Sequence, residues 1–430
     1  MDIKELYSVY KKYPSVQTDS RKLKTNDIFF ALKGDNFNGN QFAQQAVQAG
    51  AAFAIIDEEF PMDSGTEIAG KTILVKDVLA TLQELANFHR KQFKIPFIGI
   101  TGSNGKTTTK ELIHEVLSST FKTYTTEGNL NNHIGVPLTI LKIKEDAEIA
   151  VIEMGANHVG EIASYCKIVQ PTHGIITNCG KAHLEGFGGM EGVRKGKGEL
   201  YDHLRTGKGS AFVMWDYDYL RTMSKDIPEV IRYGTSNSEV EGSVLKTEPF
   251  LQVSINNSKV LSSIKTQLVG EYNFPNILAA VAVGKYFKVP EEKIKSAIEN
   301  YTPTNNRSQL IEIGSNKIIL DAYNANPSSM IAAIQNFAKI KNENKVLMLG
   351  AMAELGEESL QEHQLIIDLI SQYKWKEVIL VGGDFLKINH PYLKFETAEQ
   401  ANNWLNEQDF KNSYFLVKGS RSIGMEKVIE

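Results

Sequence analysis

The stretch Gly99-Ile-Thr-Gly-Ser-Asn-Gly-Lys-Thr-Thr-Thr109 lies between an apolar run, Phe97–Thr101, and a segment, 106–118, whose apolar residues recur at helical spacing. A strand that turns into a helix through a glycine-rich loop commits its surroundings to a helix-covered, largely parallel sheet. In such a loop the backbone N–H groups and the positive end of the helix face a phosphate. Lys106 would reach the β- and γ-phosphates, and Thr107 would hold Mg²⁺ through its hydroxyl. Ile100 stands where the longer G-x-x-x-x-G-K-[ST] pattern has its first glycine. The loop is therefore a shorter form, Gly102-Ser103-Asn104-Gly105-Lys106-Thr107, followed by Thr108. A glycine-rich turn with an incidental lysine is the bland alternative, and it leaves the flanking strand and helix unexplained.

The same alternation runs along the whole chain. Apolar strands are predicted at 27–32, 52–56 and 73–75, with helices at 41–48 and through Leu79, Leu82, Leu85 and Ala86. From residue 97 onward the predicted order is strand 97–101, helix 106–118, strand 149–153, helix 161–169 and strand 174–177. Residues 231–270 change to short alternating runs, 251–255 and 261–269 among them, which predict antiparallel strands at a sheet edge. Helices follow at 277–287 and 291–300, and the polar Tyr301-Thr-Pro-Thr-Asn-Asn306 reads as a linker. Alternation resumes to the end, with strands at 318–320, 345–349, 378–381 and 414–418 and helices at 328–337, 360–371 and 398–406. With 430 residues and about 150 per domain, three α/β domains are expected: 1–92, 93–302 and 303–430. The central one is a doubly wound, mostly parallel phosphate-loop sheet and the last is Rossmann-like.

Composition removes other classes. The 42% hydrophobic and 23% charged fractions are those of a globular chain. Forty-seven basic and fifty-one acidic residues leave a net charge of −4, which argues against a nucleic-acid partner. Cys166 and Cys179 match neither a disulfide framework nor a zinc pattern, so a reducing compartment is expected. Met1-Asp-Ile-Lys-Glu-Leu-Tyr7 mixes charges too early for a signal peptide, and no apolar run nears the roughly 18 residues of a membrane span. A cytoplasmic protein is expected.

A phosphate loop needs a metal-holding acid at a neighbouring strand end, and Ala150-Val-Ile-Glu153 supplies one. His183 also follows a predicted strand, although a lone histidine is more often a hydrogen-bonded structural group and Mg²⁺ prefers oxygen. Lys197, in Val193-Arg-Lys-Gly-Lys-Gly-Glu199, reads by itself as a solvated lysine in a basic run.

Taken together, Thr101–Thr108, Glu127-Gly-Asn-Leu-Asn-Asn132 with Ile134-Gly-Val-Pro137, Glu153-Met-Gly-Ala156 and Asn178–Glu185 resemble the Mur ligase family of peptidoglycan synthesis. Asp321-Ala-Tyr-Asn-Ala-Asn-Pro327, Leu349-Gly-Ala-Met-Ala-Glu-Leu-Gly356 and Val417-Lys-Gly-Ser-Arg421 extend the resemblance to the last domain. It implies an ATP-dependent, Mg²⁺-assisted amide ligase working through an acyl phosphate. Lys106, Glu153 and His183 would serve phosphate and metal. Asn273 and Asn276 would line the adenine pocket, and Arg307 and Asp321 would contact ATP from the third domain. Ser20, Arg21, Lys33, Gly34 and Asp35 fall where the family holds its UDP moiety, and Asn131 and Asn132 lie near the bound substrate. Lys418 and Ser420, with Tyr323 and Asn324, would serve the incoming amine. The family also has a lysine matching Lys197 that CO₂ can carbamylate. Thr18-Asp-Ser-Arg21, Tyr-Asn-Ala-Asn and Lys-Gly-Ser-Arg favour UDP-N-acetylmuramoyl-tripeptide and D-alanyl-D-alanine as reactants. A monomer is the default expectation, since no residue pattern speaks to the oligomeric state. The ligase adding the third stem residue is the runner-up, with a folylpolyglutamate-synthase-like enzyme behind it. Tyr272 replaces a common histidine and Ala351 a common aspartate.

Overall fold

Phe97–Thr101 and Ile149–Glu153 are buried at every residue, the pattern of strands covered on both faces. Both belong to the largest of three α/β sheets in the computed structural model, which describes residues 1–58, 69–304 and 306–430. Asn305, within the predicted linker, lies outside the described residues. The first sheet has four strands, in order Val16–Gln17, Ile28–Phe30, Phe53–Ile56 and Thr72–Leu74, all paired parallel. The largest has nine, in order Ile264–Lys265, Gln252–Ile255, Val240–Lys246, Glu229–Gly234, Ser210–Met214, His173–Ile176, Phe97–Thr101, Ile149–Glu153 and Thr123–Thr125. The third has six: Gln309–Ile313, Asn316–Asp321, Tyr414–Lys418, Lys345–Gly350, Glu377–Val381 and Leu393–Phe395. Only its edge strand Gln309–Ile313 is antiparallel.

One expectation is corrected here. Antiparallel pairing across 231–270 begins only at Val240–Lys246 with Gln252–Ile255, because Glu229–Gly234 runs parallel to both of its neighbours. A short helix, Asp218–Met223, provides the crossover from Ser210–Met214 that a parallel pair requires. The run 261–269 is not one strand either. It holds a 3₁₀ turn, Val260–Ser262, and the two-residue strand Ile264–Lys265; Ile264 pairs with Val253, while Leu261 and Leu268 reach the core from outside the strand.

The chain divides into two compact units. The first comprises residues 1–99, 122–155 and 161–173. Its four-stranded sheet packs Phe29, Ala31, Ala54 and Ile56 against Ala43, Ala46 and Val47 of the helix Ala43–Gln48. Asp77 caps the helix Val78–Arg90, whose last residue donates to the carbonyls of Phe93, Val169 and Gln170. The second unit comprises residues 100–121, 156–160 and 174–430. At its centre the phosphate-loop helix Lys106–Ser118 lies against Phe274–Tyr286, a helix buried on nearly every face. The six-stranded sheet adds a core of Ile318, Leu320, Val346, Met348, Ile379, Val381, Phe415 and Val417. No helix among the described residues is long and apolar enough to cross a membrane.

Candidate functional site

In the second unit, Gly102 and Gly105 have φ of +140° and +80°, which disfavours any side chain. A Cβ on Gly102 would fall 2.0 Å from Thr177 Oγ1 and 3.0 Å from its backbone nitrogen, and one on Gly105 2.7 Å from Asn276 Oδ1. The loop is held open from below. Ser103 N–H donates to the Asn178 carbonyl at 2.9 Å, Asn104 N–H to Asn178 Oδ1 at 3.0 Å, and Thr177 Oγ1 to the Asn104 carbonyl at 2.6 Å. Gly105 begins the helix, and no side chain caps the amides of its first turn. Lys106 Nζ folds back onto the carbonyls of Gly102 and Ser103, at 2.7 and 3.2 Å. A side-chain-free cradle of amides with one ammonium at its rim fits a nucleotide's phosphates. Thr107 is buried beside it and Thr108 half-buried.

Asn273 and Asn276 are buried and bonded inward. Thr109 Oγ1 donates to Asn276 Oδ1, Asn276 Nδ2 to Asn273 Oδ1, and Asn273 Nδ2 to the Val269 carbonyl, all within 3.0 Å. The pair thus ties the phosphate helix to the segment that follows the antiparallel strands. Tyr272 shares a hydrogen bond with Ser308 Oγ at 2.8 Å, which carries that tie onward to the last sheet.

Residues 181–183 meet the last 130 residues directly. Lys181 Nζ lies 2.5 Å from the buried Glu362 carboxylate, and its backbone N–H donates to Ser328 Oγ at 2.8 Å. His183, at φ +53°, pairs through Nδ1 with Glu354, whose carboxyl that hydrogen bond holds below its ordinary range. Asn326 Nδ2 reaches Asn104 Oδ1 at 2.8 Å while its own Oδ1 caps the helix Pro327–Lys339. The sequence gives no role to Ser328 or Glu362, and it offers Asn326 and Glu354 only as members of the motifs that carry the resemblance.

The solvated-surface reading of Lys197 is corrected. It is 1% exposed on the helix Met190–Gly207, donates from Nζ to the Ala156 carbonyl at 2.8 Å, and lies 4.7 Å from the Phe187 ring centroid. Cys179 is buried, which pushes its thiol up to about 12.

At the carboxyl ends of adjacent strands in the last sheet, Asp321 and Lys418 form a salt bridge of 2.6 Å. Lys418 is 2% exposed and also donates to the Asn324 carbonyl, while Asp321 Oδ1 accepts from Ser308 N–H at 3.1 Å. Ser420 is buried, with Oγ donating to the Ala351 carbonyl at 2.7 Å. Lys418 and Asp321 therefore shape this strand end through one another, and Ser420 ties it to Ala351. Tyr323 stays half-buried beside Arg307 and Asn324 is exposed.

In the first unit, Glu153 is 1% exposed at its strand end. Asn131 Nδ2 donates to its Oε1 at 2.8 Å, and Thr126 Oγ1 accepts its backbone N–H. Asn132 turns to structure, with Oδ1 accepting from the N–H groups of Ile134 and Gly135 at the start of Gly135–Leu141. Asp19 caps the turn Ser20–Lys22 and takes both Nε and Nη2 of Arg21, which holds its carboxyl down to about 2. The Arg21 side chain is 87% exposed. Lys33 pairs with Asp57 and Glu58 at 2.9 Å each, at the base of a hairpin whose turn carries Asp35. Gly34 lets the Phe37 ring close over that hairpin, since a Cβ would fall 2.6 Å from it.

Three family models match in succession: "Mur ligase family, catalytic domain" over residues 12–90, "Mur ligase middle domain" over 100–284, and "Mur ligase, glutamate ligase domain" over 306–421. The UDP-N-acetylmuramoyl-tripeptide–D-alanyl-D-alanine ligase of Bacillus subtilis is 33% identical over 426 residues, 96% of this chain and 92% of that protein. A crystal structure of MurF from Acinetobacter baumannii superposes with a TM-score of 0.86 at 32% identity, covering 96% of this chain and 92% of that one. MurF ligase from Thermotoga maritima, solved in complex with ADP, gives 0.84 at 26% identity and covers 96% of each chain. By these matches the chain belongs to the Mur ligase family.

Proposed function

We propose that this chain is an ATP-dependent ligase that joins D-alanyl-D-alanine to UDP-N-acetylmuramoyl-tripeptide in peptidoglycan precursor synthesis. The observation that carries the reading is the phosphate cradle at 102–108 and the Asp321–Lys418 strand end in one compact unit, in a chain that matches relatives of that name along 96% of its length. An amide does not form from a carboxylate and an amine in water without activation. When bound, ATP with Mg²⁺ supplies the γ-phosphoryl group: a substrate carboxylate oxygen takes it, ADP leaves, and the dipeptide amine then displaces phosphate from the acyl carbon.

The residues divide the remaining work. The loop amides and Lys106 orient and neutralise the phosphates, which is most of what phosphoryl transfer asks of a protein. Within the second unit, Thr107 would offer Mg²⁺ a hydroxyl oxygen and His183, oriented by Glu354, a ring nitrogen, and in the first unit Glu153 is the carboxylate of the kind that ion prefers. Lys181, Ser328, Asn326 and Glu362 hold the last sheet against the phosphate loop, close to where an acyl phosphate would need shelter from hydrolysis. We assign residues 1–92 to the UDP moiety, 93–302 to ATP and 303–430 to ATP contacts and the dipeptide. The protein acts as a monomer in the cytoplasm, where ATP is made available.

Phosphate release tests the reading. It should be negligible with ATP alone and rise only when UDP-N-acetylmuramoyl-tripeptide and D-alanyl-D-alanine are both present. Vigorous turnover with neither would make the protein an ATPase instead.

A further inference from the structure

Of the eight arginines in the chain, five donate hydrogen bonds within the protein: Arg21, Arg90, Arg205, Arg221 and Arg232. The guanidinium groups of Arg307 and Arg421 enter no hydrogen bond or ion pair among the described residues. Both lie instead against one ring. Arg307 Cζ is 3.6 Å from the Tyr323 centroid and Arg421 Cζ is 5.2 Å from it. An aromatic face holds a guanidinium in place without consuming its N–H donors, so the planar fork stays available to a carboxylate.

The backbone that carries the ring is itself fixed. Tyr323 N–H donates to the Asn306 carbonyl at 3.2 Å, and Asp321, two residues earlier, binds Ser308 N–H and Lys418. Asp321 and Lys418 end neighbouring parallel strands of the last sheet, and ligands of open α/β sheets gather beyond such carboxyl ends. The strand Tyr414–Lys418 lies between Asn316–Asp321 and Lys345–Gly350, out of chain order. Asp321 neutralises the buried Lys418. Arg421, three residues on and exposed, is then the cation this strand end presents to a ligand.

We propose that Arg421, stacked beside Tyr323, binds the carboxylate of the incoming dipeptide and selects an amine substrate that carries one. The inference rests on the functional reading above, in which the acceptor has a reacting amine at one end and a non-reacting carboxylate at the other. A bidentate guanidinium contact fixes that far end, and with it the direction from which the amine approaches.

The test compares D-alanyl-D-alanine with D-alanyl-D-alaninamide, which keeps the amine and removes the charge. The unaltered enzyme should prefer the acid by about ten- to a hundredfold in kcat/KM, the range of a charge-assisted hydrogen bond. In Arg421→Ala the KM for the acid should rise to meet that of the amide, with the KM for ATP and the melting temperature unchanged. Arg421→Lys keeps the charge without the fork and should fall between. An undiminished preference for the acid in Arg421→Ala overturns the proposal, and so does a change confined to ATP. Ligation of neither dipeptide by the unaltered enzyme overturns the functional reading itself, a different result.

Discussion

The Nζ of Lys197 donates to the backbone carbonyl of Ala156 at 2.8 Å, three residues after Glu153. A cation fixed there, close in sequence to the proposed metal-binding acid, makes sense once its charge is considered. An ordinary lysine carries a positive charge with a pKa near ~10.4, whereas a carbamate would present the oxygen anion that Mg²⁺ prefers. Lys197→Ala should lose most activity, and short carboxylic acids should restore part of it. Lys197→Arg should stay inactive. Because Lys197 is buried, the alanine variant should also lose about 1–3 kcal/mol of stability by leaving the Ala156 carbonyl without this donor. Activity with and without added acetate, beside a denaturant melt, separates the two effects; full activity in either variant rejects the role.

Lys106→Ala removes the ammonium from the phosphate loop. Its Nζ donates to the carbonyls of Gly102 and Ser103, and without it turnover should fall by about a hundred- to a thousandfold, as for loss of a transition-state charge contact. Gly102→Ala should fail differently, by displacing Thr177, and should lower the melting temperature as well as activity.

The first unit gives a separate readout. Arg21 is exposed and oriented by Asp19, so Arg21→Ala should raise the KM for the UDP substrate and leave ATP affinity alone. A change seen only in ATP affinity would show that residues 1–92 have another role.

Glu362 is buried against Lys181, whose side chain is partly exposed. Lys181→Ala leaves that carboxylate without its cation and should destabilise the protein by roughly 1–3 kcal/mol, below the cost of breaking a fully buried pair because water still reaches the site. Glu362→Gln should cost less. Equal melting temperatures for Lys181→Ala and the unaltered protein would count against the pairing.

Acid should loosen the last sheet through His363. Met352 N–H donates to its Nε2 at 3.0 Å, so the ring is neutral and donates from Nδ1 to the Ser359 carbonyl at 2.7 Å. Burial lowers its pKa below the ordinary histidine value. A lowered native pKa means that the unfolded chain binds the proton more tightly. The stabilisation is therefore complete above pH ~6.5 and lost progressively as pH falls through that value toward the native pKa. His89, buried between Tyr7 and the Ile143 carbonyl, shifts the same way in the first unit. Melting temperature against pH should show this acid limb, and in His363→Gln it should be shallower from a lower starting stability.

The parts of the site that were readable in the sequence are those whose chemistry is local. Gly102, Gly105 and Lys106 meet backbone and charge demands within one loop, and Glu153 ends a run of apolar residues. Lys181 with Glu362 and Asn104 with Asn326 span 181 and 222 residues, and no spacing rule pairs positions that far apart. Lys197 was hidden in another way. The basic run around it suggests a wet surface, yet Val193, Lys197, Leu200 and Leu204 fall on one buried face of an 18-residue helix. Counting helical positions from Val193 would have found it. The crossover helix Asp218–Met223 was missed because six residues are too few for a periodic signal.

The strand Tyr414–Lys418 occupies the interior of the last sheet, paired on one side with Asn316–Asp321 and on the other with Lys345–Gly350. During synthesis on the ribosome, those two strands emerge with nothing between them. Until residues 414–418 leave the exit tunnel, each presents an open ladder of amides and carbonyls, the kind of edge that recruits a wrong partner. A premature stop between Gly350 and Tyr414 thus removes the sheet's keystone rather than its margin. Such a product should aggregate or be degraded even though most of the phosphate-loop sequence has already been made.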